Sequence, residues 1–301
     1  MIRLIKRHQL DEIKYNNCIE KSLQSRVYAF SWYLDIACKN WDILILNDYE
    51  AVMPIPWRKK LGIKYVYPPF WILELGIFSI HTNVKVDEFL KEAKLYFKYI
   101  ESYLNTDSVV ENPLNLKKRT VQKLQLQENY EAIVDNYRKD RKKDLRRAKE
   151  YLLKEKWHDR PENLIELFKE NVGLRTPKIG KKDYDILLRI IQECIKNGVG
   201  EILSIYNPYE TLVASAFLIK YKETVTILVS STDFNNRKNG ANTFLIDSAI
   251  FKYHKEFKTF NFGGSSIKSI ANYFLSFGAK TDNYYQFKSN NLAKLLTLFK
   301  K

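Results

Sequence analysis

Hydrophobic and polar residues alternate most clearly in the last third of the chain. Apolar runs at about 201–206, 212–221 and 223–231 predict three strands, with Asn207-Pro208-Tyr209-Glu210 as a turn. A loop, Asp233 to Asn239, then leads into a helix over about 240–255. A short strand at 258–262, a Gly263-Gly264-Ser265-Ser266 turn, a helix at 267–276 and a strand at 280–288 complete this part. Ser265 or Ser266 suits a helix cap, and Gly278 suits a left-handed helix end.

The first half reads as a mixture. Helical spacing covers 24–38, and Trp41–Leu46 and Ala51–Pro56 form a hairpin across Asn47-Asp48-Tyr49-Glu50. Tyr65 to Leu73 is aromatic and β-branched but broken by Pro68-Pro69, which predicts an irregular or edge strand. Val86 to Leu104 predicts an amphipathic helix with Phe89, Ala93, Tyr96, Phe97 and Ile100 on one face. Ser108–Val110 and Thr120–Leu126 read as strands around an Asn112-Pro113 turn. Helices follow at 131–154, 164–171 and 184–196, the last two separated by the basic loop Thr176 to Lys182. Both halves share the order helix, hairpin, strand, helix, strand, which points to a duplicated fold.

Length and charge narrow the function. At 301 residues the chain predicts two domains, with 1–129 and 130–301 as the division where composition shifts. A formal charge of +15 favours polyanionic partners. The three Cys and four His are scattered, so no structural metal is expected. No apolar run suits a signal peptide or membrane span, and a cytoplasmic location is expected.

Four segments are candidates for chemistry. Arg237-Lys238-Asn239-Gly240-Ala241-Asn242 sits between an apolar strand and a helix, where free N–H groups and a glycine suit a phosphate. An ordinary strand-to-helix turn with a solvated rim has the same composition. Asn261 to Ser266 reads as structural, since no His or acid lies at a nucleophile's spacing. Arg138 to Lys149 carries eight Lys or Arg against two Asp. Its residues Arg138, Lys139, Arg141, Lys142, Lys143, Arg146 and Arg147 are candidate polyanion contacts, or else a solvated face around an apolar stripe of Ile133, Tyr137, Leu145, Ala148 and Leu152. The aromatic stretch Trp57 to Phe78 reads chiefly as core.

These segments together resemble the FemAB-like branch of the GNAT acyltransferases. The resemblance rests on Ser31-Trp32-Tyr33-Leu34-Asp35, Trp41-Asp42, Ala51 to Pro56 and Leu75 to Ser79 in the first half. In the second it rests on Leu145-Arg146-Arg147-Ala148, on Ser230-Ser231-Thr232 through Asn242, and on Phe262 to Ile267 with Ser276-Phe277-Gly278-Ala279. It implies a mixed α/β (α+β) fold of two tandem GNAT-like domains, each a mostly antiparallel sheet flanked by helices. It implies transfer of an acyl or aminoacyl group from acyl-CoA or aminoacyl-tRNA to an amine, the acceptor in some relatives being a cell-wall precursor. The donor would lie against Ser230, Ser231 and Thr232 and on the loop from Arg237 through Lys238, Asn239, Gly240 and Ala241 to Asn242. The first domain would shape the acceptor cleft. Tyr273 and Asp233, with Glu201 behind them, are the candidate acid and base. Two positions depart from the GNAT pattern: Asn242 closes the phosphate loop, and Phe274 stands where a general-acid tyrosine often lies. The other class of function is a non-catalytic RNA-binding protein on a degenerate fold. Attachment of the basic helix to an anionic membrane surface is a third, without stable insertion.

Overall fold

The computed structural model describes residues 1–82, 84–107, 110, 115–176, 178–264 and 267–292. The Asn112-Pro113 turn, most of the 108–110 strand, Pro177 of the basic loop and the Ser265/Ser266 caps lie outside these residues. Two compact units emerge: Met1–Arg119 with the stretch from Asn283 onward, and Thr120–Asp282. The sequence expectation divided the chain at 129/130; the units divide ten residues earlier, and the chain's last strand returns to the first unit.

Unit 1 begins with β1 (Ile2–Lys6), α1 (Glu12–Lys21) and α2 (Ser31–Ala37). The hairpin of β2 (Trp41–Leu46) and β3 (Ala51–Lys60) is in the expected register, Leu46 opposite Ala51. Next come β4 (Ile63–Val66), β5 (Phe78–Ser79), α3 (Val86–Tyr96) and β6 (Tyr99–Tyr103). The helix expected to reach Leu104 therefore stops at Tyr96. Phe97 is buried as the chain turns, and Tyr99 and Ile100 then enter the sheet, β6 pairing parallel to β4 at Val66–Ile100. Phe89, Ala93, Phe97 and Ile100 share one core, the first two from the helix and the last two from the turn and strand after it, while Tyr96, expected on the same face, is exposed.

Unit 2 takes β7 (Leu116–Gln125) from Thr120 on, and contains α4 (Tyr130–Asp135), α5 (Lys139–Glu150), β8 (Lys154–Trp157), α6 (Pro161–Glu170) and α7 (Lys181–Lys196). The expected helix over 131–154 is thus two helices and the start of a strand. The Arg138 N–H leaves the helix ladder for the Ser276 carbonyl, which breaks the run. β9 (Gly200–Tyr206), β10 (Leu212–Tyr221), β11 (Thr224–Thr232), α8 (Ala241–Tyr253), β12 (Thr259–Asn261) and α9 (Lys268–Leu275) follow as read from the sequence. The closing strand, β13 (Lys280–Asn290), pairs antiparallel with β6 from Gln286 to Asn290.

The sheet of unit 2 runs β7-β12-β11-β10-β9-β8, antiparallel except for β11 and β12. α8 connects those two parallel strands. Leu245, Ile246, Ala249, Ile250 and Tyr253 of α8 are buried in the core with Leu203, Ile205 and Ala216 of the sheet. Each fully buried large side chain contributes about 1.5–3 kcal/mol, so the start of α8 is set on a rigid base.

Candidate active site

The site forms where β11 and β12 part. They pair over Thr224–Thr259, Val225–Phe260 and Thr226–Asn261 only. Beyond that, the Phe262 N–H bonds to Gln122 of β7, while β11 continues to Thr232. Two features hold the parting open. Leu228 is an extra residue in β11, since Phe217 faces Val229 and Leu218 faces Ile227. Gly263, at φ +77°, packs so tightly that a Cβ would lie 2.3 Å from the Ile227 carbonyl oxygen. The result is a cavity of about 560 Å³. Ser230, Ser231 and Thr232 of β11 line it, facing Ile270, Tyr273 and Phe274 of α9. Arg141 and Asp144 of α5 and Asn242 and Thr243 of α8 also line it.

The loop before α8 is built differently from its expected form. Gly240 caps α8 at φ +82°, but its missing side chain serves protein packing. A Cβ there would sit 2.2 Å from the Asp144 carbonyl oxygen of α5. Asn239 is buried, and its carboxamide oxygen accepts the Ala241 N–H. Ala241 is core, and Lys238 is exposed away from the cavity lining. Asn242, Thr243 and Arg237 are the members of this stretch that reach the cavity together with Gly240.

Arg237 lies over the Phe234 ring at 3.6 Å, and Arg175 lies over the same ring at 4.1 Å. Burial, and then the charge of Arg175, push the Arg237 guanidinium below its ordinary value. Neither arginine has a carboxylate partner among the described residues. Phe234 is fixed by its N–H bond to the buried Asn171 side chain, 2.7 Å. A rim with two unneutralised guanidiniums favours an anion.

Tyr273 stands at the centre of a polar network. Its hydroxyl lies 3.1 Å from Thr243 Oγ1, which also contacts Arg141 Nη1 at 2.7 Å and Asp144 Oδ2 at 3.0 Å. The Arg141 guanidinium covers the Tyr273 ring at 4.4 Å and pairs with Asp144 at 3.0 Å. Burial pushes the Tyr273 hydroxyl up to about 12, against the opposing charge of Arg141.

The other candidate acid and base residues lie elsewhere. Asp233 is absent from the cavity lining and caps the turn at 234–239, accepting the Asn235 N–H at 2.9 Å. Glu201 is buried in a cluster with Lys220, Lys252 and Tyr253. Burial alone would raise its carboxyl, but these bonds outweigh it and hold Glu201 near 2. That carboxylate is committed to ion pairs. Asp144, which no motif picked out, is the carboxylate of the cavity.

The basic helix α5 divides by face. Arg141 is buried in the site rather than on the solvated side. Arg138 pairs with Asp140, Lys142 with Asp135 and Arg147 with Asp144. Lys139, Lys143 and Arg146 are exposed and make no ion pair among the described residues. Among the described residues no group of three or more His, Cys, Asp or Glu could hold a metal ion, and no helix is long and apolar enough to cross a membrane.

No family model matches the sequence, and no curated protein does. Solved structures do match. FemX aligns with a TM-score of 0.69 at 11% identity, over 97% of this chain and 99% of its own. The C-terminal domain of an Agrobacterium fabrum protein described as a lysylphosphatidylglycerol synthetase aligns at 0.57 and 10% identity, covering 96% and 94%. A tandem GNAT protein from the clavulanic acid pathway aligns at 0.51 and 7% identity, covering 96% and 98%. The chain has the FemAB-like GNAT fold. The parting of β11 and β12 after a bulge lies at the crossover α8 within that fold.

Proposed function

We propose that the protein is a transferase moving an acyl or aminoacyl group from a thioester or aminoacyl-tRNA donor to an amine. The observation that carries this reading is the cavity at the parted strands, with cations at its rim and a hydroxyl network at its floor. Acyl transfer needs the donor held, its carbonyl oxygen stabilised and the amine relieved of a proton. Arg237 and Arg175 suit donor phosphates, the β11 edge at Ser230–Thr232 suits the acyl carbonyl, and Tyr273 suits the proton.

Two features favour the aminoacyl ester over the thioester. Burial holds the Tyr273 hydroxyl above its ordinary value, which makes it a weak acid toward a thiolate, whose ordinary pKa is about 8.5. An alkoxide leaving from a ribose ester is a far stronger base and takes that proton readily. The exposed Lys139, Lys143 and Arg146 also suit a long phosphate backbone.

The test is transfer of a radiolabelled aminoacyl group from a charged tRNA pool, and of acetyl from acetyl-CoA, to a panel of amines. Ile270→Trp, which fills the cavity from an exposed helix, serves as control. Gly240 is unsuitable as a control because any side chain there strikes α5. Amide product from charged tRNA, abolished in Ile270→Trp, is expected. Absence of product from both donors, with salt-steep tRNA binding retained, would replace the reading with a non-catalytic RNA-binding protein.

A further inference from the structure

The network under Tyr273 has a direction that hydrogen counting fixes. Arg141 only donates, so Thr243 Oγ1 accepts from its Nη1. Thr243 has one proton, and the Asp144 carboxylate beside it only accepts. That proton therefore points to Asp144, and the remaining lone pair of Thr243 takes the proton of Tyr273. The chain runs Tyr273 to Thr243 to Asp144, with links of 3.1 and 3.0 Å. Its far end, Asp144, lies 3.0 Å from Arg141 and 3.5 Å from Arg147, with Asp140 on the other side of the Arg141 guanidinium. Tyr273 itself lines the cavity.

We propose that Asp144 is the proton sink of the site, reached from the cavity through Tyr273 and Thr243. This rests on the transfer reading above. As the amine nitrogen bonds to the donor carbonyl carbon, one of its protons passes to Tyr273 Oη. The proton of Tyr273 moves to Thr243, and that of Thr243 to Asp144. The carbon–oxygen or carbon–sulfur bond of the donor then breaks, and its electron pair leaves with the oxygen or sulfur. The same wire, run backwards, returns the proton from Asp144 to that leaving group. Amide and free alcohol or thiol result, with no other reagent consumed. Tyr273 is the catalytic residue, while Thr243 and Asp144 are positioning residues that act through it. The arrangement also gives Arg141 a role that its sequence neighbours do not share.

The experiment reads the wire without substrate. Full-length protein carrying ¹³Cζ-tyrosine and ¹³Cγ-aspartate is titrated from pH 7 to 2, with Tyr273→Phe and Asp144→Asn assigning the two signals. The Tyr273 signal is expected to move at the midpoint of Asp144. Thr243→Ser should keep that inflection and Thr243→Val should abolish it. Thr243→Val should also slow transfer from the donor found above by about 100-fold, with Thr243→Ser within a few-fold of the parent. A Tyr273 signal flat at the Asp144 midpoint in the parent protein overturns the wire and leaves the transfer reading standing. So does an unchanged response in folded Thr243→Val. A responsive wire in a protein that transfers from neither donor overturns the transfer reading, and the proton-sink role with it.

Discussion

The two units place the same crossover, strand to helix to parallel strand, and finish its helix start in opposite ways. In unit 1, α3 begins with Asp87 and Glu88 in its first turn, behind Lys85. In unit 2, α8 begins with no acid in its first turn, behind Arg237 and Lys238. A helix start carries about half a positive charge. Unit 1 satisfies it with its own carboxylates, whereas in unit 2 the neutral Asn239 carboxamide meets it at the Ala241 N–H. The cavities follow suit. Unit 1 has one of about 640 Å³ beside Trp41 and Trp57, and none of its walls comes from α3. Unit 2 has its cavity on the α8 start itself. One architecture therefore gives a structural crossover in one unit and a candidate anion site in the other, and first-turn chemistry makes the difference.

The comparison breaks most severely at its glycines. Gly240 and Gly62 have nearly the same backbone, at φ +82° and +80°. Around Gly62 a Cβ would meet nothing within 4 Å, whereas at Gly240 it would strike the backbone of α5. Gly62→Ala should therefore lose only the left-handed penalty, about 1–2 kcal/mol. Gly240→Ala should lose at least about 4 kcal/mol, because α5 has to move off α8. Urea unfolding of both variants measures this; equal losses would mean that the α5–α8 contact is not tight.

A milder change converts one helix start toward the other. Asn242→Asp gives α8 the acidic first turn of α3. Donor affinity should fall about tenfold or more, while stability rises by about 0.3–1 kcal/mol through the helix dipole. The two readouts move in opposite directions, which no general loss of folding does. Removing the acids of unit 1, as Asp87→Asn with Glu88→Gln, should create no donor binding, since the 640 Å³ cavity of unit 1 does not reach that start. Calorimetry with the donor, paired with thermal unfolding, checks both. Unchanged affinity in Asn242→Asp would remove the α8 start from the site.

Much of this was legible in the amino-acid pattern, and the failures are instructive. The strands and helices of 200–290 were plain because Asn207-Pro208, Gly240 and Gly263-Gly264 punctuate them. The end of α3 at Tyr96 was hidden, since neither Gly nor Pro marks the passage into β6. Gly240 was visible as a special position, but composition could not say whether a ligand or a helix approaches it. Asp144 lay in a run that charge counting merges into one face. Arg141 carried a signal that went unused. It falls four residues after Tyr137 and four before Leu145, on the apolar stripe itself, where a cation needs partners inside the fold.

The remaining cations of α5 give the smallest effect and the cleanest separation. Lys139, Lys143 and Arg146 are exposed and make no ion pair among the described residues, so replacing them with Gln should leave stability within about 0.5 kcal/mol. Arg141→Gln should do the opposite, destabilising unit 2 because Asp144 stays behind in a half-buried network. If the exposed three meet a phosphate backbone, each replacement should lower the salt dependence of tRNA binding by close to one unit of slope. Binding of a small donor fragment in the cavity should not change. The triple variant, titrated with tRNA at several salt concentrations, therefore separates the surface of α5 from its buried edge. A salt slope equal to that of the parent would assign Lys139, Lys143 and Arg146 to the solvated face alone and leave Arg141 as the functional cation of the helix.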